Sequence, residues 1–290
     1  MSTKQLTKAA SKGKGPRADQ ANGMSGGADS GRPSSALDDL LLSDSMQNSQ
    51  SFRAKVASAT NGTLLAEMRS KLGSAARRLD EKGLLMGGES LSLRLAGQNR
   101  FLLAAADLDK KISSVKVNDI AVMEFSATPD SDDWVSELHA AIHMHRGDVG
   151  AVFIGRQKWA SALRKLPGSM PTIFDEQARQ LGPTVEALEF RPGPGGFAGL
   201  QRNLFRGPSN AFLLGDYVIV LGMTLEKALF NAELLEKCSK AYVLARLSGQ
   251  RIKRIPFYVR VIANRRLIKD ETRAAASYAM GEIPGGFTAY

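Results

Sequence analysis

The three histidines of this 290-residue chain lie together in the run His139-Ala140-Ala141-Ile142-His143-Met144-His145. In a helix, His139 and His143 stand one turn apart on one face, a spacing that can seat a metal ion. Zincin-type metalloproteases place a glutamate beside the first histidine of such a pair, and here Ala140 stands in its place. The plainer expectation is that the histidines pack and hydrogen-bond. Other chemistry is sparse. No histidine falls in a Ser-His-Asp or Cys-His context. Cys238, the single cysteine, sits on an apolar helix face, where a thiol is inert. Residues 193–199 (GPGGFAG) are glycine-rich, but they have no Walker lysine and Pro194 removes an amide, so they are expected to be a loop.

The elements that carry these residues alternate in type. Leu64, Leu65, Met68, Leu72, Ala75 and Leu79 form a helical stripe that Gly83 should end. Two short alternating runs, 91–95 and 101–104, flank Gly97-Gln98-Asn99 and predict a hairpin. Further strands are expected over 120–125, 151–154, 185–190, 211–214 and 217–221. Helices are expected over 134–146, with Val135, Leu138 and Ile142 on the apolar face, and from Ser161 to a stop at Pro167-Gly168. Thr224 is a good N-cap for a long helix that Gly249 should end. The pattern predicts a layered α/β domain with a mixed or antiparallel sheet.

Composition narrows the class. The chain is large enough for one well-buried domain with tails. One cysteine excludes an internal disulfide framework and fits a reducing cytoplasm. No apolar run reaches the roughly 18 to 20 residues of a membrane span, and the longest, 211–222, is broken by Asp216. No apolar segment follows the N-terminal lysines, so no secretory signal is expected there. A transit peptide would suit the acid-poor composition but not the scarcity of arginine. The net charge of +10 resides in two segments. Residues 1–35 carry six Lys/Arg against two acids, a net of +4, and residues 246–273 carry nine against two, a net of +7. The remainder is close to neutral. Such segments suit an acidic partner, nucleic acid or anionic lipid among them, or serve solubility and subunit packing. Residues 1–50 are expected to be a disordered basic Ser/Gly-rich tail, residues 60–250 the folded domain, and residues 251–290 a basic C-terminal extension.

Four segments in order, GGESLSLRL (87–95), SELHAAIHMHRGDVGAVFIGRQKWASAL (136–163), PTIFDEQARQLG (171–182) and LLGDYVIVLGMTLEKALFNAELLEKC (213–238), resemble the class II aldolase/adducin family. The likeness runs from about Thr63 to Gly249. It implies a three-layer α/β/α domain that commonly assembles as a cyclic tetramer. The family's enzymes are zinc-dependent sugar-phosphate aldolases, epimerases and dehydratases, and its adducin branch binds cytoskeletal partners.

The resemblance also shows what is missing. Family enzymes take two zinc ligands from a His-x-His strand and a third from an N-H-G turn, whereas those positions hold Ile154, Arg156 and Asp216 here. A catalytic zinc needs about three protein ligands, and an arginine beside the single remaining candidate repels a divalent cation. No zinc and no other cofactor is therefore expected. The phosphate motif G-N-x-S-x-R reads Glu89-Ser90-Leu91-Ser92-Leu93-Arg94, so that only Ser92 and Arg94 match, and the second phosphate loop reads Ala104-Ala105-Ala106-Asp107. The family's acid/base aligns on Val135, and a two-residue slip admits Asp133 or Glu137. His139 aligns with a family histidine that is not a zinc ligand. The replacements suggest that Arg156 and Asp216 form a bidentate ion pair in the former metal cavity, with Gln157, Arg94 and Ser92 around it. Three functions follow: a non-catalytic oligomeric scaffold or binding module, a sugar-phosphate lyase or epimerase with a rearranged site, and a metal-independent small-molecule binder.

Overall fold

The structure is a computed structural model that describes residues 62–125, 133–189, 204–249 and 251–285. The first helix, α1 (residues 62–81), buries Met68, Leu72, Ala75 and Leu79 of the expected stripe, with Ala76, while Leu65 is half-buried and Leu64 is exposed. Strands β1 (Ser90–Leu95) and β2 (Arg100–Ala105) form the expected hairpin, with Gly97 at φ +71° in the turn. Then come β3 (Ala121–Glu124), α2 (Trp134–His145), β4 (Ala151–Gly155), α3 (Lys158–Ala162), β5 (Met170–Pro171), α4 (Asp175–Gln180) and β6 (Thr184–Leu188). The last elements are β7 (Ala211–Leu214), β8 (Tyr217–Gly222), α5 (Leu225–Leu247) and α6 (Phe257–Ala279). The strands make one eight-stranded sheet in the order β3-β2-β1-β4-β8-β7-β6-β5. Every neighbouring pair is antiparallel except β6 and β7.

The sheet has helices on both faces. Leu91, Leu93 and Leu95 of β1, Phe153 of β4 and Val218 and Val220 of β8 join α1 and α5 in the larger core. On the other face, Val152, Ile154, Ile219 and Leu221 meet Leu138 and Ile142 of α2. This alternation follows from the period of two along each strand. β1 nevertheless lacks a wet face: Ser90, Ser92 and Arg94, which alternate with its leucines, are buried beneath α2.

Three local expectations need correction. α3 starts at Lys158 rather than Ser161, because the Glu236 carboxylate of α5 accepts hydrogen bonds from the amides of Trp159 (2.9 Å) and Ala160 (2.9 Å) and caps it from afar. The buried face of α2 is wider than the three residues expected, since His139 and His143 are buried with Leu138 and Ile142, and Val135 is only half-buried. The basic C-terminal extension contains α6, whose Ala263, Leu267, Glu271 and Ala274 are buried. Small and charged residues on that face hide its periodicity from a hydrophobic reading. Thr224 caps α5 as expected, its hydroxyl accepting from the Lys227 amide. The tail of residues 1–50 and the glycine-rich 193–199 lie outside the described residues.

α6 is locked to the domain. Arg179 of α4 pairs with Asp270. Asn210 donates from Nδ2 to Glu271 Oε1 (3.0 Å), and Tyr278 donates to the carbonyl of Met223 (3.0 Å). Tyr278 reaches there over Gly150, where an added Cβ would meet its oxygen at 2.0 Å. No described helix is long and apolar enough to cross a membrane.

Candidate functional site

Two buried arrangements hold Ser92, His139, His143, Arg94, Glu89 and Arg156. The first joins β1 to α2. Ser90 Oγ lies 2.8 Å from His139 Nε2, and Ser92 Oγ lies 2.8 Å from both His139 Nδ1 and His143 Nε2. Ser92 has one hydroxyl proton for two ring nitrogens, so it donates to one histidine and accepts from the other. Phe101 and Phe125 stack against the rings. Burial pushes His139 down to about 3, and burial, with the Arg94 cation beside it, holds His143 well below the usual histidine range. Both rings are neutral at pH 7. Both nitrogens of His139 and Nε2 of His143 are committed to serine hydroxyls, so the pair joins helix to sheet and is not presented to a metal. Among the described residues, no three His, Cys, Asp or Glu side chains gather as a metal site.

Arg94 ends this arrangement. Its guanidinium donates to the carbonyls of Val149 (2.7 Å), Arg146 (3.0 Å) and His143, and it lies over the rings of Phe125 (4.8 Å) and Tyr278 (5.3 Å). Burial lowers its pKa somewhat, but a guanidinium stays charged there. It is a hub for backbone carbonyls.

The second arrangement lies at the other end of β1 and β4. Glu89 is fully buried, and its Oε1 accepts from the successive amides of Met86 and Gly87. Gly87 and Gly88, at φ +103° and +74°, shape the loop that aims those amides inward. The carboxylate stem crosses Gly155, where an added Cβ would sit 2.8 Å from Glu89 Cγ. Gly155 is thus needed for this close approach. Arg156 then turns back over the loop, donating from Nε (3.2 Å) and Nη2 (2.7 Å) to the Gly87 carbonyl and from Nη2 to that of Leu108 (3.3 Å). Its guanidinium lies 5.9 Å from the centre of the Tyr217 ring, which meets Trp134 edge-on at 5.6 Å.

The expected Arg156–Asp216 ion pair is not formed. Asp216 is exposed in the two-residue turn between β7 and β8, and it is its backbone carbonyl that is engaged, by Ser161 Oγ at 2.8 Å. Arg156 leans the other way, toward the β1 side of β4. Nor do Arg156, Gln157, Arg94 and Ser92 line one cavity. Gln157 is buried toward α5 and donates to the Ala232 carbonyl (3.1 Å). Arg94 lies beside Gly150, six residues from Arg156 along β4, or roughly 20 Å at strand rise. Ile154 is buried in the α2-side core. Asp133 is the N-cap of α2, its carboxylate accepting from the Ser136 amide at 3.1 Å. Glu137 is half-buried in the first turn of that helix. Sequence reasoning noted Glu89 only as a mismatch in the phosphate motif and gave no role to Trp134, Tyr217 or Tyr278. The Gly-Gly-Glu order was the available signal for the first.

Residues 70–243, more than half of the chain, match the family described as class II aldolase and adducin N-terminal domain. The chain belongs to this family. No curated protein matches it. Among solved structures it is similar to an L-fuculose 1-phosphate aldolase, at 21% identity over 70% of this chain and 96% of that one, with a TM-score of 0.60. It is likewise similar to YgbL from Escherichia coli, at 18% identity over 69% and 99%, TM-score 0.58. The L-fuculose 1-phosphate aldolase from Glaciozyma antarctica PI12 is 14% identical over 74% and 89%, TM-score 0.55. At these identities the likeness concerns the fold. This class II aldolase domain does not fit the zinc that the family's enzymes carry. Of the three ligand positions, Ile154 is apolar and buried, Arg156 is a cation held by backbone carbonyls, and Asp216 is exposed to solvent.

Proposed function

We propose that this class II aldolase/adducin-family chain is a non-catalytic member whose domain serves as an oligomeric scaffold or binding module. The observation that carries this reading is the filling of the sheet end from within. Glu89 occupies the amides of Met86 and Gly87, and Arg156 closes over the same loop. An incoming anion would have to displace a buried carboxylate, and a divalent cation would meet a guanidinium where two imidazoles would serve it. The resemblance to the family supports a homotetramer, and the single cysteine supports a cytoplasmic setting. The test is metal content of the purified protein, measured with its mass in solution and with retro-aldol assays on ketose phosphates. The expected outcome is no stoichiometric divalent metal, a tetrameric mass and no cleavage. A stoichiometric metal on which cleavage depends would overturn the proposal in favour of a lyase with a rearranged site.

One observation favours a second reading. Arg156, Tyr217 and Trp134 together put a cation and two half-buried aromatic rings at the same sheet end. Such a set suits a small carboxylate or carbonyl compound. It would appear as a rise in melting temperature with that compound, lost in Arg156→Ala.

A further inference from the structure

α6 lies beyond the residues that match the family, and its inner and outer faces differ in kind. The inner face is Ala263, Leu267, Glu271 and Ala274. On the opposite side, Tyr258, Ile262, Arg265 and Lys269 recur at spacings of four, three and four, and all are exposed. The side chains standing out are large and apolar: Phe257 is 72% exposed, Tyr258 66% and Ile262 51%. Ile268 is exposed as well.

The charge is equally one-sided. Arg251, Lys253 and Arg254 before the helix and Arg265, Arg266, Lys269 and Arg273 within it are exposed. Of these cations only Arg273 is paired with an acid of α6. Asp270 is half-buried and pairs with Arg179 and Arg273, and Glu271 is buried against Asn210 and Arg146. The outer face is therefore cationic along most of a helix roughly 35 Å long, with aromatic and aliphatic side chains at its N-terminal end.

We propose that this face docks on an anionic lipid surface, the apolar side chains entering the headgroup boundary while the arginines and lysines meet lipid phosphates. An amphipathic helix lying in the plane of a membrane needs both features at once: apolar side chains able to leave water, and cations near them. Nucleic acid would use the cations and the two aromatic rings but leaves Ile262 and Ile268 without a role. A two-fold contact between copies through this face would set seven exposed cations against seven more, which disfavours it. Docking through this face does not depend on whether the sheet end retains any catalysis.

The test is co-sedimentation of the full-length protein with phosphatidylcholine vesicles, with and without phosphatidylglycerol, alongside tRNA and duplex DNA binding. Binding is expected only to the anionic vesicles and should weaken with added salt. Two variants separate the contributions, Phe257→Ser/Tyr258→Ser/Ile262→Ser and Arg265→Glu/Arg266→Glu/Lys269→Glu. Each should lower vesicle affinity by about tenfold or more. Every substituted residue is exposed, so the melting temperature should hold, and that is measured to separate docking from folding. The proposal is overturned if anionic vesicles are not bound, or if neutral vesicles are bound as well. It is overturned too if both variants bind vesicles undiminished, since the other basic segment would then be responsible. Binding to nucleic acid without vesicle binding assigns the face to that partner instead. A fall in solution mass in the apolar variant would mean that a second copy covers it.

Discussion

His139 and His143 are titratable groups placed where water cannot reach them, and their surroundings set their charge. The histidines are neutral because burial removes the hydration a cation would need, while serine hydroxyls engage both nitrogens of His139 and Nε2 of His143. The unfolded chain takes up protons near the ordinary histidine value of 6.5, while His139 in the folded domain resists down to about 3. The stability linked to the pair is complete above pH 6.5 and is lost as pH falls below it, at up to roughly 1.4 kcal/mol per pH unit for each histidine. Urea denaturation at pH 7.5 and 5.5 should show a lower midpoint at the lower pH, and His139→Asn should flatten that dependence. A pH dependence as steep in His139→Asn as in the parent would contradict the buried, neutral pair.

At the scale of elements, most boundaries were legible and their causes were local. The hairpin turn at Gly97, the Thr224 cap and the stripe of α1 depend on residues within a few positions of one another. α3 was misplaced because its cap comes from Glu236, on a different helix and 77 positions from Trp159. Two successive N-terminal amides share that carboxylate, which also complements the helix dipole. Glu236→Ala should destabilise the domain by about 1 kcal/mol, and Glu236→Gln by less because an acceptor remains. Denaturant midpoints of the two variants measure this. Equal losses would assign the effect to charge alone. α6 was missed for a related reason: its buried face includes a glutamate that only Asn210 and Arg146 make acceptable.

For the whole molecule, the buried network of Arg146, Asp148, Asn210 and Glu271 ties α6 to the turn before β4 and to the start of β7. Burial pushes Glu271 up to about 7 from 4.5, and the nearby Asp148 and Asp270 add to the rise while Arg146 and Asn210 oppose it. The folded protein therefore binds this proton more tightly than the unfolded chain. The contribution to stability is full below pH 4.5 and falls away as pH rises through about 7, the reverse of the histidines. Glu271→Gln keeps the oxygen that Asn210 donates to and removes the titration. The variant should be more stable than the parent above pH 7 and should lose stability more steeply on acidification, because the histidine slope is then unopposed. Thermal melts from pH 5 to 8 would show this, and parallel curves for the two proteins would refute it.

Residue identity and order were enough to read the family, the alternating α/β architecture and the absence of histidine at the three positions where the resemblance places zinc ligands. Family motifs are read from residue identity in order, and a missing imidazole is missing in any conformation. What the sequence left open was direction: whether Arg156 met Asp216 or turned away, whether the β1 serines faced water or a helix, and whether the basic extension was a docked element. Each answer depends on partners distant in the chain, Gly87 for Arg156, His139 and His143 for Ser92, and Asn210 for Glu271. Local periodicity holds no record of such partners. They are set by strand register and by which helix covers which face, and only the folded chain specifies both.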